Sequence, residues 1–286
     1  MNFGGIEELY TTWENATFVV IPVPYDLTST YGSGSRRGPS AILDASCNME
    51  LYDEELDRET YLSGICTLPP VEVDATGPES MVRKVEERVA EVLAGGKIPV
   101  VLGGEHSISF GAVLALKKAY AKLSVLQLDA HADMRESYQG SPYSHACIAR
   151  RACEICPVVQ VGIRSMSAEE AAFLKTGKAK TWGVEALRSR PDWPESICQD
   201  LSDDVYVTVD LDVFDPAVMP STGTPEPGGL FWHEVLSVLR EVSRRRRVRG
   251  FDIVELSPLP GIVAPDFLAA KLAYRTMGYL AQSAGL

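Results

Sequence analysis

Short runs of apolar, often β-branched residues alternate along this chain with longer stretches whose apolar positions recur at helical spacing. The runs Phe18 to Val23, Ile98 to Leu102, Leu123 to Leu128, Val158 to Ile163, Val205 to Val209 and Val248 to Val254 predict strands. Weaker strand signals lie at Gly64 to Leu68 and Ala179 to Trp182. Between them, Pro78 to Ala94 sets Met81, Val82, Val85, Val89, Val92 and Leu93 on one face and charges on the other. It opens on a proline and stops at Gly95 and Gly96, which predicts a helix. Further helices are predicted at Ser107 to Tyr120, Ala168 to Lys175, Phe231 to Arg244 and Pro265 to Ser283. Strand and helix taking turns in this way is the signature of βα units on a mostly parallel sheet. With no fixed-period repeat, low-complexity tract or Ser- and Gly-rich linker, residues 1–286 are expected to form one α/β domain.

Composition narrows the function. There are 27 Lys and Arg against 39 Asp and Glu, a formal net charge of −12. A nucleic-acid partner is not expected, because phosphate binding needs concentrated positive charge. The one basic run, Arg244 to Arg247 with Arg249, is read as a solvated helix C-terminus, where cations suit the helix dipole. The opening segment lacks a basic leader with an apolar core, and no stretch approaches the ~20 apolar residues of a membrane span, so a cytoplasmic protein with no membrane partner is expected. Six cysteines are too sparse for a disulfide scaffold and are expected to be free thiols. Cys153 and Cys156 form a CxxC pair, but a structural zinc site would need a second pair. The loop YGSGSRRGPS does not fit a nucleotide-binding glycine pattern, and no GKS or GKT follows it.

Chemistry concentrates where apolar runs end. VVLGGEH, VLQLDAHAD and VYVTVDLDVFDP each deliver acidic or imidazole groups at a predicted strand terminus. In an open parallel sheet the carboxyl ends of the strands converge on the ligand crevice, which would gather His106, Asp129, His131, Asp133, Asp210 and Asp212. Alternation at a strand end would point Asp129, His131 and Asp133 to one face, and Asp210 with Asp212 repeats that step. Four aspartates together would repel and lose hydration unless a cation offset them. Two imidazoles and four carboxylates without a thiolate favour Mn²⁺ or a similar oxygen-preferring ion. Six ligands exceed the need of one catalytic ion with an open position, whereas two ions about 3.5 Å apart, bridged by carboxylates, would use them all and hold a shared hydroxide. Any one of these groups alone reads as a turn former, cap or structural histidine, and it is their combination that points to metal.

His145 lies in a loop of Ser, Gly and Pro, where a mobile imidazole suits proton transfer. Glu255 ends the run Phe251 to Val254 and is expected to hold a cationic substrate by charge-assisted hydrogen bonds, while Asp252 should point elsewhere. His233, inside a helical stretch, is read as structural.

GGEHS (Gly103 to Ser107), DAHAD (Asp129 to Asp133) and DLDVFDPAVMPSTGTPEPGG (Asp210 to Gly229) resemble the metal motifs of the ureohydrolase family, the arginases and agmatinases. The likeness extends to IPVPYDLTSTYGSGSRRGP and Glu255 and so covers most of the chain. It implies a three-layer α/β/α fold and two Mn²⁺ ions per subunit. One ion would be held by His106, Asp129, Asp133 and Asp210, the other by His131, Asp129, Asp210 and Asp212. It further implies that Glu255 positions a guanidinium for attack, that Asp133 orients the nucleophile and that His145 shuttles protons.

The stretch MRESYQGSPY and the SHAC after it resemble the agmatinase branch, which would convert agmatine to putrescine and urea. Glu105 stands where many members have Asp, and Ala146 where many have Gly. Arginine, guanidinobutyrate and aminopropylagmatine are the rival substrates. A non-catalytic metal-binding protein and a single-zinc deacylase are rival classes. Homo-oligomers, trimers or hexamers, are expected from the resemblance alone.

Overall fold

In the computed structural model, which describes residues 1–286, the apolar runs pair side by side in one eight-stranded parallel sheet. In chain order the elements are β1 (Phe18–Val23), α1 (Gly38–Ser46), the hairpin β2 (Tyr52–Asp53) and β3 (Arg58–Glu59), β4 (Ile65–Thr67) and α2 (Pro78–Ala94). Then come β5 (Ile98–Gly103), α3 (Ser109–Ala119), β6 (Leu123–Leu128), α4 (Ile148–Cys153), β7 (Val158–Ile163), α5 (Ala168–Leu174) and β8 (Ala179–Gly183). The chain closes with α6 (Val184–Arg188), α7 (Trp193–Asp200), β9 (Asp204–Asp210), α8 (Trp232–Arg245), β10 (Arg247–Val254) and α9 (Ala264–Ala284). Across the sheet the order is β4-β1-β5-β10-β9-β6-β7-β8.

The strands are apolar throughout because each buries both of its faces. In β1, Phe18 and Val20 pack into one core and Val19, Ile21 and Val23 into the other. Helices α1, α6, α7, α8 and α9 cover the first core, and α2, α3, α4 and the rim of α5 cover the second. The result is a three-layer α/β/α sandwich. Helix α2 shows how the sequence sets this up: Met81, Val82, Val85, Val89 and Val92 are all buried against the sheet while the charged positions face out. Each such side chain contributes roughly 1.5–3 kcal/mol, so Val85→Asp would undo this docking.

The predicted strands are present within a residue or two of their bounds, and Pro78–Ala94 is helical as read. Helices α1, α4, α6 and α7 and the β2–β3 hairpin were not visible in the pattern, since elements of two to nine residues do not complete a period. The basic run also differs from its reading. Only Arg244 and Arg245 lie in the last turn of α8; Arg247 opens β10 and, with Arg249, pairs with Asp204. Arg246 donates to the backbone carbonyls of Leu201 and Cys198, so three of these arginines tie strand and helix ends together. No helix is long and apolar enough to cross a membrane.

Candidate metal centre and active site

Four adjacent strands, β5, β10, β9 and β6, end side by side, and the segments leaving them carry the candidate residues. After β5 the chain must pass close to Tyr25: a Cβ on Gly104 would lie 1.9 Å from the Tyr25 carbonyl oxygen, so only glycine fits. The N–H groups of Gly104 and Glu105 then donate to the carbonyls of Val23 and Tyr25, and His106 opens a single tight turn, His106–Ile108, that takes up the first residues of the predicted helix before α3 begins at Ser109. From β6, Asp129 comes one residue past the strand, and His131 still makes a parallel bridge to Ser165. Asp133 does not continue the alternation, because its φ of 51° turns the backbone into the left-handed region. Asp210 ends β9, and Asp212 sits in the short turn after it. Convergence is therefore reached through turns as much as through strand alternation. The left-handed φ of 66° at Glu255 is a second backbone strain at the same site.

The ligand atoms of His106, Asp129 and Asp210 lie within 4.8 Å of one another, as do those of Asp129, His131 and Asp212. His106 Nδ1 is 3.1 Å from Asp129 Oδ2, 3.1 Å from Asp133 Oδ2 and 3.4 Å from Asp210 Oδ2. It is buried and makes an aligned hydrogen bond to none of them. The other ring nitrogen explains why. Thr208 Oγ1 donates its single hydrogen to Asp252 Oδ1 at 2.6 Å, so it accepts from His106 Nε2 at 2.8 Å. His106 is thereby held with a proton on Nε2 and its Nδ1 aimed among three carboxylates, which against the effect of burial push the ring well above its usual pKa, so that the position at Nδ1 calls for a second ring proton or a cation. A lone pair facing carboxylates is repelled unless a cation lies between them. On the second cluster, His131 Nδ1 is 2.8 Å from Asp212 Oδ2, and Asp129 is oriented by donors from Gln127 Nε2 and the His131 N–H.

Electrostatics agrees. Burial pushes the Asp129 carboxyl up to about 7, with the charges of Asp133 and Asp212 adding to it. Burial drives Asp210 well above the carboxylate range, Asp212 and Asp129 adding again. Asp212 is the exception, because hydrogen bonding and charge from His131 overcome its burial and hold it low. Glu255 is pushed up to about 8 by burial and by Glu105. Protons or metal ions must neutralise such a cluster, and the donor set suits an oxygen-preferring divalent ion.

Above the cluster opens a cavity of about 290 Å³. It is lined by His106, His131, Asp133, Asp210, Asp212, Glu255 and His145 together with Ser29 to Gly32, Arg135 and Tyr138. Asp129 is buried beneath it. His145 is not the loose group its loop suggested. It opens a short helical turn, its ring meets Tyr138 edge-on at 5.9 Å, and Thr28 contacts both its backbone N–H and its Nδ1. Glu255 Oε1 accepts from the His106 N–H at 2.7 Å, which ties β10 to the β5 turn. Asp252 belongs to neither ligand cluster, and its carboxylate accepts from the hydroxyls of Thr208 and Tyr206. His233 lies in the first turn of α8 and does not line the cavity. Cys153 and Cys156 belong to neither ligand cluster, and burial pushes their thiols up to about 12 and about 11.

Sequence reasoning missed Thr28, Glu105, Thr208 and the part played by Asp252. A charged residue inside the apolar run FDIV was a usable signal for the last. It also missed Arg164, whose guanidinium donates to the carbonyls of Asp212, Phe214 and Glu226 and so fixes both ends of the DLD-to-GTPEP segment.

The fold and this site define an arginase-type metal-dependent hydrolase scaffold. The chain belongs to the arginase family, whose model matches residues 16–278. It is 38% identical over 284 residues to an N(1)-aminopropylagmatine ureohydrolase of Synechocystis sp., covering 96% of this chain and 93% of that protein. It is 35% identical over 275 residues to an agmatinase of Pyrococcus horikoshii, covering 94% of each. The crystal structure of agmatine ureohydrolase of Thermoplasma volcanium superposes with a TM-score of 0.89 at 34% identity, covering 100% of this chain and 97% of that one.

Proposed function

We propose that the chain hydrolyses the guanidino group of agmatine, releasing putrescine and urea, with two Mn²⁺ ions per subunit. The observation that carries the reading is His106 Nδ1 placed 3.1, 3.1 and 3.4 Å from carboxylate oxygens of Asp129, Asp133 and Asp210 with no aligned hydrogen bond, a position that suits a cation. His106, Asp129, Asp133 and Asp210 would hold one ion, and His131, Asp129, Asp210 and Asp212 the other. Bound there, the ions would supply Lewis acidity and lower the pKa of a water molecule toward neutrality.

The remaining chemistry belongs to the chain. Glu255 spends Oε1 on the His106 N–H and keeps Oε2 for the guanidinium, a charge-assisted contact that fixes the carbon to be attacked. Asp133, at the cavity floor, orients the attacking water and passes its proton toward the leaving amine. His145, at the wall, exchanges protons with solvent. Asp133 is buried and Glu255 partly so, which limits the competition of bulk water for these contacts.

Aminopropylagmatine is the second reading, favoured because relatives at 38% identity from Synechocystis sp. and Thermus thermophilus are named for it, against 35% for the agmatinases of Pyrococcus horikoshii and Bacillus subtilis. Assembly as trimers or hexamers is part of the proposal and rests on resemblance. Purified, Mn²⁺-loaded chain should release urea from agmatine or aminopropylagmatine far faster than from arginine or guanidinobutyrate, with two metal ions per chain by elemental analysis. No urea from any of the four would sink the reading, and a single bound ion would favour a one-metal deacylase.

A further inference from the structure

Glu105 is a fully buried carboxylate next to the first metal cluster, yet it belongs to neither ligand set. Every donor around it is turned inward. Thr28 N–H reaches Oε2 at 2.6 Å, while the hydroxyls of Thr28 and Ser107 reach Oε1 at 2.5 and 2.6 Å. The Thr28 hydroxyl has one hydrogen and two lone pairs, and the hydrogen is spent on Glu105. Toward His145 it can therefore only accept. It does so twice, from the His145 backbone N–H at 3.1 Å and from Nδ1 at 3.1 Å, while the Ser144 hydroxyl lies farther from the same nitrogen, at 3.4 Å, and can share the ring hydrogen as an acceptor.

We infer that Glu105, acting through Thr28, is a positioning residue that fixes neutral His145 as the Nδ1–H tautomer, so that protons enter and leave the ring at Nε2. The inference rests on the reading of His145 as the proton-exchanging group. Its logic repeats, on a different pair of elements, the Asp252–Thr208–His106 arrangement, in which a buried carboxylate takes the threonine hydrogen and the threonine oxygen takes a ring N–H. There the free nitrogen is Nδ1, facing carboxylates. Here it is Nε2, which has no protein partner, on a ring that lines the cavity.

Glu105→Gln makes a prediction that differs in kind from simple loss. The Thr28 backbone N–H cannot turn round, so the amide oxygen must take its place at Oε2, and the amide NH₂ then faces the Thr28 hydroxyl. That hydroxyl becomes an acceptor from Gln and a donor to His145 Nδ1, and the ring proton moves to Nε2. The chain has only four histidines, so ¹⁵N-imidazole NMR of the full chain, loaded with diamagnetic Cd²⁺ and assigned with a His145→Asn sample, reads the tautomer directly. Wild type should show neutral His145 protonated at Nδ1 and Glu105→Gln should show it protonated at Nε2. With Mn²⁺ bound, Glu105→Gln should lose roughly 10²-fold in kcat, the scale of a general acid–base contribution, with KM within about twofold. Glu105→Asp, which keeps a carboxylate, should recover most of that loss.

Thr28→Val, which leaves Glu105 and every metal ligand in place, guards against a misfolded Glu105 variant and should mix the two tautomers. An Nε2–H ring in wild type, or an unchanged tautomer in both variants, overturns the inference. A His145→Asn enzyme with undiminished kcat would instead overturn the catalytic reading of His145, and the NMR result would still decide the tautomer.

Discussion

Two groups of buried carboxylates in this molecule have opposite surroundings. Asp129, Asp210 and Asp212 at the end of the sheet face one another and two imidazoles, and no guanidinium forms an ion pair with their carboxylates, Arg164 reaching only the Asp212 backbone carbonyl. Asp53, in the β2–β3 hairpin, is equally buried but forms an ion pair with Arg275 of α9, itself only 3% exposed. The same guanidinium reaches Glu54 and Glu55 at 2.7 Å each, and Tyr279 and Arg240 complete the Glu55 side. The Arg275 group carries its own counter-charge and clamps a hairpin to a helix. The sheet-end group lacks one and is complete only with a cation from outside. Burial of acid by itself thus says little, and what distinguishes a candidate active site is the missing partner.

Removing one member from each group should separate the two. Asp129→Asn is expected to cut urea release by about 10²–10³-fold or more, the scale seen when a charge-stabilising group leaves an active site. Metal per chain should fall, while the Tm of the metal-free chain stays level or rises because a like charge has gone. Full turnover in this variant would erase the distinction. Arg275→Met should do the reverse. It strands Asp53 in the interior, at about 3–5 kcal/mol, which corresponds to a fall of about 5–15 °C in Tm. The kcat of the folded variant should be unchanged. Calorimetry and the urea assay on both proteins check the pair, and a loss of kcat in Arg275→Met without loss of Tm would count against a purely structural clamp.

The same contrast explains which features are legible in the amino-acid sequence. The six metal-centre candidates stand out because each ends an apolar run, and a sheet buried on both faces makes those runs continuous in Phe18–Val23 and Leu123–Leu128. The hydroxyl relays do not. Thr208 becomes the neighbour of Asp252 only when β9 and β10 are in register, and Thr28 meets His145 across 117 positions. Threonines are too common for either to stand out alone. His145 reads as mobile because Ser, Gly and Pro surround it, but the backbone bridge between Tyr138 and Ser141 and the Thr28 contacts give that segment a fixed course. The Arg275 clamp escapes for a similar reason, since its partners sit in a hairpin too short to leave a pattern.

The smallest expected effect sharpens the clamp side of the comparison. Glu54 is largely exposed, and its hydrogen bond from Arg275 holds the carboxyl below the usual value of 4.5. A carboxyl whose folded pKa is lowered stabilises the fold above its unfolded pKa and loses that contribution as pH falls through the folded value. Because solvent screens the pair, the effect at neutral pH should stay below about 1 kcal/mol. Glu54→Gln should therefore lie slightly below wild type in Tm at pH 7, and the gap should close as the pH drops below 4.5. Added salt should narrow the gap at pH 7 as well, since an exposed pair is screened within a Debye length of about 10 Å at 0.1 M. A gap that held constant from pH 7 to pH 3 would mean that Glu54 contributes through packing and not through its charge, leaving Asp53 and Glu55 as the carboxylates that Arg275 needs.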